Sequence, residues 1–210
     1  MKTVAFMGPQ SSGKSTLMRE MKRLYAGPFT EFVDEITRKV KDEYNLNINE
    51  EGGVTTQYLI MAGHLQNALK RTDQYSLKLK VLNRCSVDGL LYCKWFEKQA
   101  EDTPHEADWV RCHRHCLNIH NLIKSKYDVI FYTDPAGIEI EDDGIRSTNV
   151  EFREGVTKLF EKFISDASPA MYDRIVRLKG TVEERMKIIR DKLFELDESI
   201  VLNPVSSPIQ

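Results

Sequence analysis

The run Gly8-Pro9-Gln10-Ser11-Ser12-Gly13-Lys14-Ser15-Thr16 constrains the fold of this chain more than any other stretch. It follows an apolar tetrad, Val4-Ala5-Phe6-Met7, and opens an amphipathic run over 17–24. A glycine-punctuated turn between a buried strand and a helix aims successive backbone N–H groups at one spot, where the helix dipole adds positive potential. The spacing Gly8-x4-Gly13-Lys14-Ser15 is that of a phosphate-binding loop, in the strand-before, helix-after context the motif requires. Gly8 and Gly13 let the backbone approach the ligand. Lys14 supplies a point charge for the β- and γ-phosphates and Ser15 a hydroxyl for Mg²⁺. Ser11, Ser12 and Thr16 complete the residues expected to hold a triphosphate.

A strand that leads into such a loop implies a sheet behind it. Apolar runs at 3–7, 29–33, 77–82, 127–133 and 174–178 read as strands, several of them nearly continuous in Val, Ile, Leu, Phe and Tyr. That continuity is expected of a parallel sheet covered on both faces. Helical periodicity fills the intervals at 14–25, 35–44, 54–71, 86–99, 105–125, 149–166 and 181–195. Alternation of the two predicts a three-layer α/β fold with right-handed crossovers. In such folds ligands bind beyond the carboxyl ends of the strands. With 210 residues, one domain over 1–199 is expected, followed by a flexible tail at 200–210 that carries Pro204, Ser206, Ser207 and Pro208. The acidic stretch 135–148, with Gly137 and Gly144, is long for a compact domain, and a lid is expected over about 135–153.

A net charge of −2 gives no global field toward nucleic acid or anionic membrane. Nucleic acid stays open as a partner only through a local patch. No apolar run approaches the roughly 20 residues that span a bilayer. The loop begins at once, with no leader pattern before it, so a cytoplasmic location is expected. Cys85, Cys93, Cys112 and Cys116 are expected to be reduced thiols.

The residues just past each strand are the candidates for chemistry. Asp34 and Glu35 follow the second strand, where either carboxylate faces the phosphate loop and could hold an acceptor hydroxyl. An acidic cap on the next helix explains the same letters. Arg38, one turn on, is either a substrate contact or a plain ion pair with Asp34. Asn83-Arg84 follows the third strand, at the place where P-loop enzymes often carry an aspartate; Asn83 can orient a metal-bound water but adds no charge. Arg84 suits a substrate phosphate, with Asp88 to orient it. Asp134, before Pro135, suits metal or sugar-hydroxyl contact, or simple Asx-turn chemistry. Arg146, in the lid, is the first choice for a cation over the transferring phosphoryl, and Arg153 the second. Thr181 and Glu184 form a capping box. Cys112-His113-Arg114-His115-Cys116 does not have zinc-knuckle spacing. On a helix, Trp109, Cys112, Cys116, Ile119 and Ile123 form one apolar stripe, which leaves the cysteines in the core and the histidines, His120 among them, toward solvent. Tyr92, Trp95 and Phe96 read as helix packing.

Taken in order, residues 8–16, Asp34-Glu35-x-x-Arg38, Asn83-Arg84-x-Ser86 with Asp88 and Tyr92, and the run from Tyr127-Asp128 through Asp134-Pro135 to Asp143-Gly144-x-Arg146 resemble the NadR-like group of P-loop proteins. That group includes nicotinamide ribonucleoside kinase domains. Gln57 is similar to a glutamine that these relatives carry after the second strand. The resemblance implies a five-stranded parallel sheet of order 2-3-1-4-5 and a kinase that uses ATP and Mg²⁺. It implies a small-molecule nucleoside or nucleoside monophosphate as acceptor. Lys14, Glu35 and Arg146 would act in catalysis, while Asp34, Glu35, Arg38, Gln57, Arg84 and Asp134 would hold substrate. Ser15 would bind the metal directly and Asn83 through water. Asn83 departs from the acidic position of nicotinamide riboside kinases. The alternative is a P-loop ATPase with a regulatory or partner-binding role and no small acceptor. Membrane association is not expected, and a homodimer stays open.

Overall fold

The computed structural model describes residues 1–70, 77–138 and 149–201 of the chain. Val4, Ala5, Phe6 and Met7 are wholly excluded from solvent, as a strand covered on both faces must be. They end β1 (Lys2–Met7), the central strand of a sheet that also contains β2 (Thr30–Val33), β3 (Leu79–Leu82), β4 (Val129–Thr133) and β5 (Ile175–Leu178). All neighbours are parallel and the order is β2-β3-β1-β4-β5, as the resemblance implied. Val4 lies opposite both Val81 and Val129, which fixes the register at the centre.

Parallel neighbours need crossovers, and helices supply them. These are α1 (Lys14–Tyr25), α2 (Ile36–Tyr44), α3 (Val54–Leu69), α4 (Ser86–Gln99), α5 (Glu106–Ile123), α6 (Val150–Ser165), α7 (Pro169–Tyr172), α8 (Val182–Leu196) and α9 (Glu198–Val201). Strand side chains alternate between faces, so β1 serves two cores. Val4 and Phe6 pack with Leu17, Met21, Ile189 and Leu193 of α1 and α8. Ala5 and Met7 pack with Met61, Leu90 and Phe160 of α3, α4 and α6. This is the three-layer arrangement that the alternation of runs predicts.

β2 to β5 start one or two residues later than their apolar runs, while β1 starts one residue earlier. Tyr127 is buried yet stands outside the ladder; its hydroxyl instead accepts from the Ser86 N–H at 3.3 Å. Apolar content reports burial, not pairing, so the pattern overruns the strand. The short α7 was not anticipated and begins with Pro169, which suits a first helical position. The expected tail boundary at 200 needs correction: Ile200 is buried against the α1–α8 core within α9. The remainder of that tail, and most of the expected lid, lie outside the described residues. Among the described residues no helix is long and apolar enough to cross a membrane.

Candidate active site

The loop between β1 and α1 closes as its letters require. Gly8 has φ +146°, and a Cβ there would stand 2.5 Å from Thr133 Oγ1 and 2.8 Å from its carbonyl. Gly13, at φ +87°, takes the left-handed turn that starts α1. Lys14 is buried and folded over the loop, its Nζ donating to the Gly8 carbonyl at 2.7 Å, the Pro9 carbonyl at 2.6 Å and Ser12 Oγ at 3.0 Å. Ser12 Oγ meets Thr133 Oγ1 at 2.6 Å, which ties the loop to β4. The Ser11 hydroxyl is buried without a hydrogen-bond partner. Unmet donors inside a ring of backbone amides suit an anion.

Other elements brace this loop through groups that sequence reasoning missed or placed elsewhere. Arg185 of α8 donates to the Ser12 carbonyl at 3.0 Å and the Asp134 carbonyl at 3.0 Å. Arg153 of α6 reaches the carbonyls of Ser11, Pro135 and Ile138 at 3.3, 3.1 and 2.8 Å. The Tyr92 hydroxyl accepts from the Gln10 N–H at 2.9 Å and donates to Gln10 Oε1 at 2.8 Å. The Gly8 N–H donates to Asp88 Oδ1 at 3.2 Å. None of these contacts has a signal in sequence spacing, because each joins residues far apart along the chain.

Beside the loop, Arg84 lies between two carboxylates. Its Nε donates to Glu35 Oε1 at 2.6 Å and its Nη1 to Asp88 Oδ1 at 3.1 Å. Burial pushes the Glu35 carboxyl up, but Arg84, Lys14 and Arg38 together outweigh it and hold Glu35 below its ordinary range. Burial wins at Asp88, whose carboxyl is raised despite Arg84 and Lys14. Glu35 is therefore ionised at neutral pH. Arg38 pairs with Glu35 at 3.5 Å and not with Asp34, whose carboxylate takes Lys22 at 2.7 Å. The cap position of α2 falls on Glu35 and carries no side-chain hydrogen bond to the helix, so Asp34 does not cap it.

Ser11, Ser12, Gly13, Lys14 and Ser15 line one small cavity together with Glu35, Asn83 and Arg84. Ser15 and Asn83 also face an open cleft of about 460 Å³ with Asp34, Glu35, Asp42 and Glu43. The Ser15 hydroxyl and the Asn83 amide are oxygen donors of the type a hard cation takes, whereas Asp34 and Glu35 are engaged by Lys22 and Arg84.

On the far side of Arg84 is a small, partly open pocket of about 30 Å³ lined by Ile48, Gln57, Ile60, His64, Asp88 and Tyr92, among others. Gln57 Oε1 and His64 Nε2 are both buried there without a hydrogen-bond partner. Burial, reinforced by Arg84, depresses His64 to about 3, so the imidazole is neutral. Two polar atoms left unmet in a pocket are what a polar ligand would satisfy. His64 was not anticipated; it sits two helical turns from Gln57 on α3, and that spacing was its one trace in the sequence.

The structure thus gathers Lys14, Ser15, Glu35, Asn83, Arg84 and Gln57 around contiguous cavities. Asp134 is separate: Arg177 at 3.0 Å and Lys179 at 3.7 Å take its Oδ2, while its Oδ1 accepts from the Ala136 N–H at 3.0 Å in an Asx turn. Arg146 lies outside the described residues. The Thr181–Glu184 capping box is present. His120 corrects the expectation of a solvent-facing side chain. It is buried, with Nδ1 at 3.0 Å from Ser86 Oγ, and burial lowers it to about 4. Tyr92, Trp95 and Phe96 pack edge-on and stacked with Phe152 and Trp109, as expected of helix packing.

Comparison with known proteins agrees with this architecture. The AAA domain family matches residues 3–185. No curated protein matches the chain in sequence. Among solved structures, the NadR protein in complex with NR superposes with a TM-score of 0.68 at 19% identity, covering 92% of this chain and 51% of that one. The chain therefore spans about half the length of NadR. Deoxyadenosine kinase from M. mycoides, with products dCMP and dCDP, gives a TM-score of 0.63 at 15% identity, covering 92% of this chain and 99% of that one. Thymidylate kinase from Candida albicans gives 0.59 at 13% identity, with 100% and 96% covered. At these identities the likeness is one of fold.

Proposed function

Given that the chain belongs to the AAA domain family, we propose that it is an ATP-dependent kinase whose acceptor is a nucleoside or nucleoside monophosphate. The observation that carries this reading is the paired arrangement of cavities. A phosphate loop and a pocket with two unmet polar groups meet at one ion-paired hinge, Glu35–Arg84–Asp88. The solved structures with the same fold include a NadR protein in complex with NR, a deoxyadenosine kinase and a thymidylate kinase, which supports the substrate class.

In this reading the loop amides and Lys14 hold the triphosphate, and Lys14 exchanges its carbonyl contacts for phosphate oxygens. Ser15, with Asn83 through a water, would hold Mg²⁺, which supplies neutralisation of the β- and γ-phosphate charge. Gln57 and His64 take the polar edge of the acceptor. Glu35, ionised, accepts a hydrogen bond from the acceptor hydroxyl and orients it in line with the γ-phosphate. Phosphoryl transfer through a loose transition state asks more for orientation than for a strong base, so a depressed carboxylate suffices. Arg84 keeps Glu35 aimed and lies within reach of an acceptor phosphate. A pocket of about 30 Å³ is smaller than a nucleobase, so acceptor binding in this reading widens it. Arg146 remains the proposed cation over the transferring phosphoryl, and Asp134, Arg38 and Asp34 remain in the proposed substrate-contacting set; the expected lid over 135–153 must end before α6, whose Phe152 is buried in the core. A cytoplasmic setting is part of the proposal, supported by four free cysteines.

The test is an acceptor screen with ATP and Mg²⁺, using nicotinamide riboside, nucleosides, nucleoside monophosphates and a base-modified DNA duplex. Stimulation of ADP release by one small acceptor, with KM for that acceptor raised in Gln57→Leu while KM for ATP holds, supports the reading. ADP release that ignores every acceptor points to a regulatory ATPase instead, and response to the duplex alone moves the acceptor to DNA.

A further inference from the structure

Away from the phosphate loop, Cys93 of α4 meets Cys112 and Cys116 of α5. Their three Sγ atoms lie within 4.8 Å of one another and none of the three residues has any exposed surface. The spacing of four places Cys112 and Cys116 one above the other on a single face of α5. Packing explains why each thiol is buried, since a free cysteine behaves as a small hydrophobe. It gives no reason for three sulfurs from two helices to converge on one point. Thiolates bound to zinc at about 2.3 Å stand about 3.8 Å apart in a tetrahedron and about 4.0 Å apart in a trigonal plane. The observed triangle closes on an ion with sulfur shifts below about 1 Å.

The surroundings suit such an ion. Tyr58 of α3, half-exposed and edge-on to His115 at a centroid distance of 5.3 Å, lies within electrostatic reach of all three sulfurs. The Val54 carbonyl is 4.0 Å from Cys112 Sγ.

We propose that Cys93, Cys112 and Cys116 form a metal site that binds one thiophilic d¹⁰ cation, zinc(II) or copper(I), and clamps α5 to α4. Soft thiolate donors select these ions over Mg²⁺ or Ca²⁺. Binding converts three thiols to three thiolates and releases three protons to solvent, with no change of oxidation state. Zinc(II) would complete a tetrahedron with water and copper(I) would stay trigonal.

The experiment is a titration of the reduced, metal-stripped full chain under anaerobic conditions. One arm uses cobalt(II) as the probe for a zinc-type site and the other copper(I) against a competing chelator. The expected result is one equivalent bound with thiolate-to-metal charge-transfer absorption and a raised thermal midpoint. Intense visible cobalt bands assign the tetrahedral ion, and tight binding in the copper arm alone assigns the trigonal one. Cys93→Ala and Cys116→Ala are each expected to weaken binding by on the order of tenfold or more. Absence of charge-transfer absorption in both arms with the wild-type chain overturns the proposal whether or not the variants fold. Absorption that survives replacement of all three cysteines overturns it equally.

Discussion

At the scale of single residues, the proposed reaction divides the work between Lys14 and Glu35. Lys14 has three contacts within its own loop, each replaceable by a phosphate oxygen. Lys14→Ala is expected to abolish phosphoryl transfer with an unchanged circular-dichroism spectrum; retained turnover would refute the loop assignment. Glu35→Gln keeps the shape of the Arg84 contact and removes the charge. Its kcat is expected to fall by about 10²–10⁴-fold with KM for ATP nearly constant, measured in steady state. Lys14 was legible from the loop letters alone. Glu35 was legible as a position but not distinguishable there from Asp34. What separates them is tertiary: Glu35 turns inward to Arg84 while Asp34 turns outward to Lys22. Arg185, a capping-box neighbour in sequence, is a brace for the phosphate loop only because α8 packs beside α1.

Among the elements, α6 shows how packing positions chemistry. Gly155 lies against Trp95 of α4, and a Cβ there would stand 2.7 Å from the indole Nε1. Gly155→Ala is expected to lower stability by about 1–3 kcal/mol through overpacking, read in urea unfolding. It should also lower turnover, since the same helix carries Arg153 to the Ser11 carbonyl. A variant of wild-type stability would show that α6 docks more loosely than its contacts imply. The helices and strands were largely legible because their apolar periodicity is strong; β1 even divides its residues between the two cores as period two requires. The short α7, the buried end of α9 and the burial of His120 were not, because each depends on what a neighbour covers.

For the molecule as a whole, buried neutral histidines set the response to acid. His64 and His120 are lowered to about 3 and about 4 by burial, while in the unfolded chain each would titrate near its ordinary value of about 6.5. Below that value the unfolded state binds more protons than the folded one, so stability falls as pH falls. The loss begins near about pH 6.5 and runs toward the folded values. Glu35, lowered in the fold by the net effect of Arg84, Lys14 and Arg38 against burial, contributes stability above its unfolded pKa that is lost as pH drops through the folded one. The thermal midpoint is therefore expected to decline steadily from neutral pH into acid, and more gently in His64→Gln. A flat midpoint across this range would contradict the burial of both imidazoles. The sheet, the loop and the strand-end carboxylates act as one device in this account, which holds a triphosphate on one side of Arg84 and an acceptor on the other. The most direct test is transfer of labelled γ-phosphate from ATP to a nucleoside or nucleoside monophosphate, followed by product identification. The account predicts a labelled, acceptor-derived phosphate ester with the wild-type chain and none with Lys14→Ala. Label released only as inorganic phosphate, whatever acceptor is present, would contradict it.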